Sequence, residues 1–236
     1  SDEEDASFAP EPITQLYQRS LYHSIRRMAG HSIQQLKAHA SDIPAAAQVD
    51  AARLIEQERG MIACLRSLVD RRIQGSRLRC HGDYHLGQVL FTGNDFVVID
   101  FEGDSARPLS ERRIKRSPLL DVATMLRSYD YVASQACARL VESMVLSSDD
   151  QRALESAAHA WYRWVGAALL RSYLEATSAA SFLPGGHDEL RGLLHALLVE
   201  KVSYEIAYEL NHRPKWVGIP IKGMLEILDS AQCGKG

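Results

Sequence analysis

Apolar residues recur at three- and four-residue intervals over most of the chain. Leu16, Tyr17, Leu21, Ile25 and Met28 mark one face of a helix predicted from Ile13 to about His39. Arg26, Arg27, Gln34 and Gln35 supply its polar face. Ser41-Asp42-Ile43-Pro44 punctuates, with Asp42 as a cap and Pro44 suited to a first helical turn. A second helix is expected from about Ala45 to Ile73, with Leu54, Ile55, Met61, Ile62, Leu65, Leu68 and Val69 inward and Gly75 as its end. The period then changes. Leu78–Cys80, Gln88–Thr92 and Phe96–Asp100 read as short strands, and Gly93-Asn94-Asp95 joins the last two as a hairpin. Residues 101–117 read as a polar loop. Helices follow from about Pro118 to Met144, Ser148 to Ala176, Asp188 to His212 and Ile221 to Asp229. The expectation is a mostly α fold around a small central β-hairpin.

Composition narrows the class. Hydrophobic residues make up 46% and charged residues 24%, ordinary for a packed domain and unlike a disordered chain. Lys and Arg total 27 against 30 Asp and Glu, so the net charge is −3. Nothing in that balance points to nucleic acid or an anionic membrane. No apolar run approaches the roughly 20 residues of a membrane span. The acidic start, Ser1-Asp2-Glu3-Glu4-Asp5, is unlike a signal or transit peptide. Cys64, Cys80, Cys137 and Cys233 are scattered, so neither a disulfide framework nor a zinc ribbon is expected, and a reducing cytoplasm fits.

The chemistry concentrates between residues 81 and 103. His81-Gly82-Asp83-Tyr84-His85-Leu86-Gly87-Gln88 leads into the hairpin, which ends in Ile99-Asp100-Phe101-Glu102-Gly103. A hairpin brings its outer ends together, so Gln88 and Asp100 become neighbours. They offer an amide oxygen and a carboxylate, hard ligands suited to Mg²⁺. Asp83 lies beside them, where it can meet a hydroxyl. These are the parts needed to move a phosphoryl group from ATP to an alcohol. The spacing H-x-D-x-x-x-x-(N/Q), a hairpin and then D-F is the catalytic-loop pattern of the protein-kinase-like fold. His81 and His85 also spell H-x-x-x-H, but zinc needs that spacing on a helix, and Gly82 and Gly87 argue for a loop. His81 reads as a residue that holds the loop by hydrogen bonds. His85 is open to either a structural or a site role.

Two further patterns stand out. On the predicted helix 188–212, Val202, Ile206 and Leu210 form one apolar stripe, and Lys201, Tyr204 and Tyr208 fall on another. Spacing alone leaves a solvated or secondary packing face as open as a sugar site, which also wants aromatic faces and charged ends. Arg112, Arg113 and Lys115 form a basic loop, read as a solvated charge run ahead of phosphate contact or anchoring against Glu102 or Glu111. Trp161 and Trp164 are read as core or interface.

The quoted motif, with V-I-D-F-E-G, R-P-L-S-E-R-R-I-K-R-S-P-L-L-D-V-A-T-M-L-R-S-Y-D-Y and E-K-V-S-Y-E-I-A-Y-E-L-N-H-R-P-K-W, strongly resembles the maltokinases. More distant relatives are aminoglycoside phosphotransferases and choline kinases. The resemblance implies ATP-dependent phosphorylation of maltose or a related disaccharide, with Mg²⁺ and a possible fusion to trehalose synthase. It implies Asp83 as catalytic base, Gln88 and Asp100 as magnesium ligands, and Lys201, Tyr204 and Tyr208 against the sugar. His81, His85, Glu102, Glu205 and Arg213 are further candidates. Glu102 replaces the Gly of D-F-G, which argues against a protein-kinase-like activation segment.

Nothing before Arg77 reads as the β-rich lobe with a phosphate loop and lysine that this fold also uses. The expectation is therefore a C-terminal lobe whose N-terminal lobe lies elsewhere, inactive alone. Within it, residues 1–12 form a lead-in, 13–76 a helical subdomain and 77–236 the catalytic and substrate-binding lobe. The alternatives are a kinase for another small molecule of the aminoglycoside or choline type, or an inactive binding lobe.

Overall fold

The computed structural model describes residues 8–105 and 108–232. The described chain is mostly helical, with two two-stranded antiparallel sheets. It divides into two compact units that interleave along the sequence. Unit one is built from residues 1–80, 113–123 and 181–236, and unit two from 81–112 and 124–180.

Unit one holds most of the core. Helix α1 (Gln15–Ala38) starts at Thr14, whose hydroxyl accepts from the Tyr17 N–H. Its apolar stripe, Leu21, Ile25, Ala29, Ile33 and Leu36, is buried. It packs on helix α8 (His187–His212), which packs in turn on α9 (Gly218–Gln232). Gln18 is buried among these apolar groups because its amide is fully used. Its NH₂ donates to the carbonyls of Leu68 and Arg71, and its oxygen accepts from the Ile73 N–H.

The helix expected over 45–73 is three helices: α2 (Ala45–Glu56), α3 (Glu58–Cys64) and α4 (Ser67–Asp70). At Gln57 the N–H is shared between Arg53 and Leu54 carbonyls, which tightens and ends the turn. The apolar period continues through the break, since Leu54, Met61, Leu65 and Leu68 all stay buried. Three short helices therefore bend around one core. Pro44, without a side-chain cap, precedes α2, and Asp42 sits in a short 3₁₀ turn. Gly75 ends no helix. At φ +118° it lets the chain pass Phe182, whose carbonyl oxygen would lie 2.7 Å from any added Cβ.

The strand expected at 78–80 lies earlier. Ser76–Arg77 (β2) pairs with Glu11–Pro12 (β1), so part of the lead-in is structural. The remainder of that lead-in, residues 1–7, lies outside the described residues. Leu78 forms a single bridge to Arg116.

In unit two, Val89–Phe91 (β3) pairs with Phe96–Val98 (β4), in register Val89 to Val98. Helix α5 (Leu109–Arg112) interrupts the expected loop 101–117. Most of α6 (Leu119–Ser143) and all of α7 (Ser148–Ala176) belong here. A Ser147–Asp150 capping box starts α7. Unit two buries fewer apolar side chains, chiefly Met125, Ala133 and Cys137, and leaves Phe91, Phe96 and Phe101 about two-thirds exposed. Helix α9 is longer than its expected span, Ile221–Asp229. The 3₁₀ turn Pro214–Trp216 feeds it, and Pro220 is accommodated in its first turn.

Candidate active site

The site is assembled from the segment 81–88, the hairpin ends and the stretch of α6 around Ser128, all within unit two. His81 is buried and joins two of these. Its Nε2 donates to the Ile99 carbonyl at 2.8 Å, and its Nδ1 faces the Asp83 N–H at 3.4 Å. Its ring lies 5.2 Å from that of Phe101 and 5.6 Å from that of Tyr84. Gly82 and Gly103, both at positive φ, sit back to back. A Cβ on Gly103 would come 3.2 Å from the His81 carbonyl oxygen. The backbone on either side of Asp100 therefore lies directly against the segment that carries Asp83.

The hairpin supplies the second junction. The Ile99 N–H donates to the Gln88 carbonyl at 3.0 Å, which sets residue 88 opposite residue 99 and next to Asp100. Asp100 has φ +59°, the one left-handed non-glycine among the described residues. Asp tolerates that region better than most residues, at a cost of about 1 kcal/mol. The turn Leu86–Gln88 is anchored by the Leu86 N–H, which donates to Ser128 Oγ on α6 at 3.0 Å.

His85 caps this turn. The Gly87 N–H donates to Nδ1 at 3.0 Å, so the neutral ring carries its proton on Nε2. That nitrogen stands 3.6 Å from Asp83 Oδ2. The Asp83 side chain is one-quarter exposed, reachable yet sheltered. Ring contacts extend from here. Tyr84 acts on Tyr129, whose hydroxyl pKa is raised by burial first and by Tyr84 second. Tyr129 meets Trp161 of α7 edge to face at 6.2 Å. Sequence reading missed Ser128 and Tyr129, whose partners lie tens of residues away. The R-S-Y-D-Y run at 127–131 was visible without any sign of what it touches.

The other candidates lie in unit one. Val202, Ile206 and Leu210 are buried, and Lys201, Tyr204 and Tyr208 take the less buried side of α8. Tyr204, Tyr208 and His212 form a stacked ladder with centroids 6.2 and 4.4 Å apart. Lys201 Nζ lies 5.3 Å from the Tyr204 ring, and Arg213 lies 5.3 Å from Tyr208. Arg213 also pairs with the buried carboxylate of Glu209 at 2.7 Å. Glu205 is buried.

The basic loop is mostly structural. Arg112 donates to the Glu102 carbonyl at 3.4 Å, and Lys115 to the Ala9 carbonyl at 2.8 Å. Lys115 pairs with Glu11 as well, and only Arg113 is left exposed as a solvated charge would be. Cys80, at the end of unit one, is bonded to the Leu78 and Arg116 carbonyls, and burial pushes its thiol up to about 12. It is no nucleophile.

Among the described residues no three His, Cys, Asp or Glu side chains are grouped to hold a metal. The H-x-x-x-H pair is engaged within the loop, His81 Nε2 on the Ile99 carbonyl and His85 Nδ1 on the Gly87 N–H. Magnesium takes one or two protein oxygens and leaves the rest to water and phosphate. Gln88 and Asp100 fit that donor set, and the left-handed backbone at Asp100 marks a position held against its local preference. No helix among the described residues is long and apolar enough to cross a membrane.

The model of the phosphotransferase enzyme family, APH, matches residues 14–108. A glucosamine kinase of Mycolicibacterium smegmatis is 35% identical over 150 residues, 63% of this chain and 34% of that protein. A glucosamine kinase of Streptacidiphilus jiangxiensis is 29% identical over 149 residues, 63% of this chain and 31% of its own length. The chain thus spans about a third of the curated relatives it matches. It shares the fold of a solved glucosamine kinase in complex with glucosamine, ADP and inorganic phosphate. That match has a TM-score of 0.69 at 21% identity, over 96% of this chain and 51% of the other. Neither relative is a maltokinase.

Proposed function

We propose that this chain is the catalytic and acceptor-binding part of an ATP-dependent sugar kinase of the phosphotransferase enzyme family, with an amino sugar such as glucosamine as acceptor. The observation that carries the reading is the junction at His81, which ties the Asp83 segment to the strand end that holds Asp100. The kinship with two glucosamine kinases favours the amino sugar over maltose.

In this reading Asp83 accepts the proton of the attacking hydroxyl. His85 Nε2 stands 3.6 Å from its Oδ2 and would help orient that carboxylate. Gln88 and Asp100 would hold magnesium, which supplies neutralising charge for the transferring phosphoryl group. Ser128 fixes the turn between Asp83 and Gln88, so the base and the ligand pair keep their spacing.

A second reading keeps maltose as acceptor. It is favoured by the Lys201–Tyr204–Tyr208 ladder, which offers ring faces and a cation of the kind a neutral disaccharide wants.

Calorimetry with glucosamine, maltose and kanamycin, in the presence of magnesium and ADP, tests the proposal. Saturable binding of glucosamine that exceeds the other two and survives Asp83→Asn supports it. Preferential maltose binding that fails in Tyr208→Ala moves the assignment to the second reading. Binding of kanamycin alone would overturn both.

A further inference from the structure

Helix α7 turns one face inward and leaves the other in solvent. Leu154, Tyr162, Val165, Gly166, Leu169 and Leu174 are buried or half-buried. The opposite face carries Ala153, Ala157, Ala160, Trp164, Ala168 and Arg171, all exposed. Trp164 is 80% exposed and Trp161 44%. A solvated helix face is normally charged, yet no charged residue lies between Glu155 and Arg163. Ala160, Arg163, Trp164, Ala167, Ala168 and Arg171 outline a shallow groove of about 460 Å³ on this surface. A bare indole flanked by Arg163 and Arg171 is made of the residue types enriched at interfaces.

The two halves of this face differ in size and in sign. The first half is small and net acidic, with Asp149, Asp150 and Glu155 against Arg152, alongside Ala153 and Ala157. The second half is bulkier and net basic, with Trp164, Arg163 and Arg171 against the one acid Glu175. A surface with those two halves complements itself when turned end for end. We propose that α7 is the contact helix of a two-fold dimer of this chain. With the axis near Ala160, Trp164 of one copy packs over Ala157 of the other, and Ala153 lies against Ala168. Arg171 of each copy reaches Asp149 of the other. Every contact occurs twice, as an isologous interface requires. Asp149 is engaged with Arg152 of its own helix in an exposed pair, which exchanges partners at little cost. One helix pair buries less than the roughly 800 Å² per partner of a standard interface, so the dimer is concentration-dependent.

Sedimentation velocity or light scattering across the micromolar range reads this directly. The wild-type chain is expected to shift from monomer to dimer as concentration rises. Trp164→Glu weakens the dimer at least about tenfold, with an unchanged circular-dichroism spectrum, because the residue is exposed in the monomer. Arg171→Glu and Asp149→Arg each weaken it, and the double variant restores it, because the two charges exchange places across the axis. A chain that stays monomeric at every concentration overturns the proposal, as does a dimer indifferent to Trp164→Glu. Failure of the double variant to regain what each single variant loses overturns the two-fold register.

Discussion

Arg116 and Glu200 form a buried two-pronged ion pair, with Nη2 at 2.7 and 2.6 Å from the two carboxylate oxygens. Their side chains are 18% and 5% exposed. Burial pushes the guanidinium pKa down, and the Glu200 carboxylate more than offsets this, so the net shift is upward. Arg116 lies in the short stretch 113–123 that returns to unit one between the two stretches of unit two. The pair, with the Leu78–Arg116 bridge, pins that return.

Glu200→Gln should therefore leave a buried cation without its counter-charge and cost about 3 kcal/mol. Urea unfolding measures it. The double change Arg116→Met with Glu200→Leu should recover most of the loss, since an apolar pair of similar volume leaves no charge behind.

Gly87→Ala should displace His85. The new Cβ would stand 2.8 Å from the ring Cε1 and 3.0 Å from Nδ1, so the imidazole must swing away. That breaks the bond from the Gly87 N–H and turns Nε2 from Asp83. The cap loss is expected to cost about 1 kcal/mol. The changed tautomer should appear in the ¹⁵N shifts of His85, and an unchanged ring signal would contradict the assignment.

Asp100 carries both a backbone and a charge requirement, and substitutions separate them. Asp100→Asn keeps a residue that tolerates φ +59° and should change stability by less than about 0.5 kcal/mol. Asp100→Val adds a β-branched residue in the left-handed region and should cost about 1–2 kcal/mol. Both should abolish magnesium-dependent ADP binding if the carboxylate is a ligand. Thermal melts with and without ADP and magnesium distinguish the two effects.

His195 should make the fold acid-sensitive. Burial, with a smaller contribution from Arg191, holds its pKa below 6.5 in the folded chain. Below 6.5 the unfolded chain takes up a proton that the folded chain resists, so stability falls as pH drops from about 6.5 to the folded value. Below that value the contribution stays constant. His195→Gln should flatten this part of the melting-temperature profile between pH 7 and 5, and an unchanged slope would assign it to another group.

The long helices were legible because each repeats its apolar positions over several turns, as Leu21, Ile25, Ile33 and Leu36 do in α1. The hairpin was legible because Gly93-Asn94-Asp95 separates two β-rich runs. The break at Gln57 was not, because the apolar period runs through it unchanged. The pairing of Glu11–Pro12 with Ser76–Arg77 joins segments some 65 residues apart and leaves no local trace. The candidate site was marked by the spacing of Asp83, Gln88 and Asp100. The left-handed backbone at Asp100 and the Ser128 anchor come from tertiary structure, which no periodicity encodes.

Unit one closes its core with helices from both sides of unit two: α1 from residues 15–38 packs on α8 from 187–212, and α2 on α9. During synthesis the early helices must wait, with Ile25, Ile33 and Leu54 unsheltered, until the ribosome has delivered α8 and α9 some 150 residues later. Such waiting surfaces are where chaperones bind and aggregation starts. A stop codon after residue 180 would thus spoil more than the helices it removes, because it strands the first eighty residues without the partners that cover them.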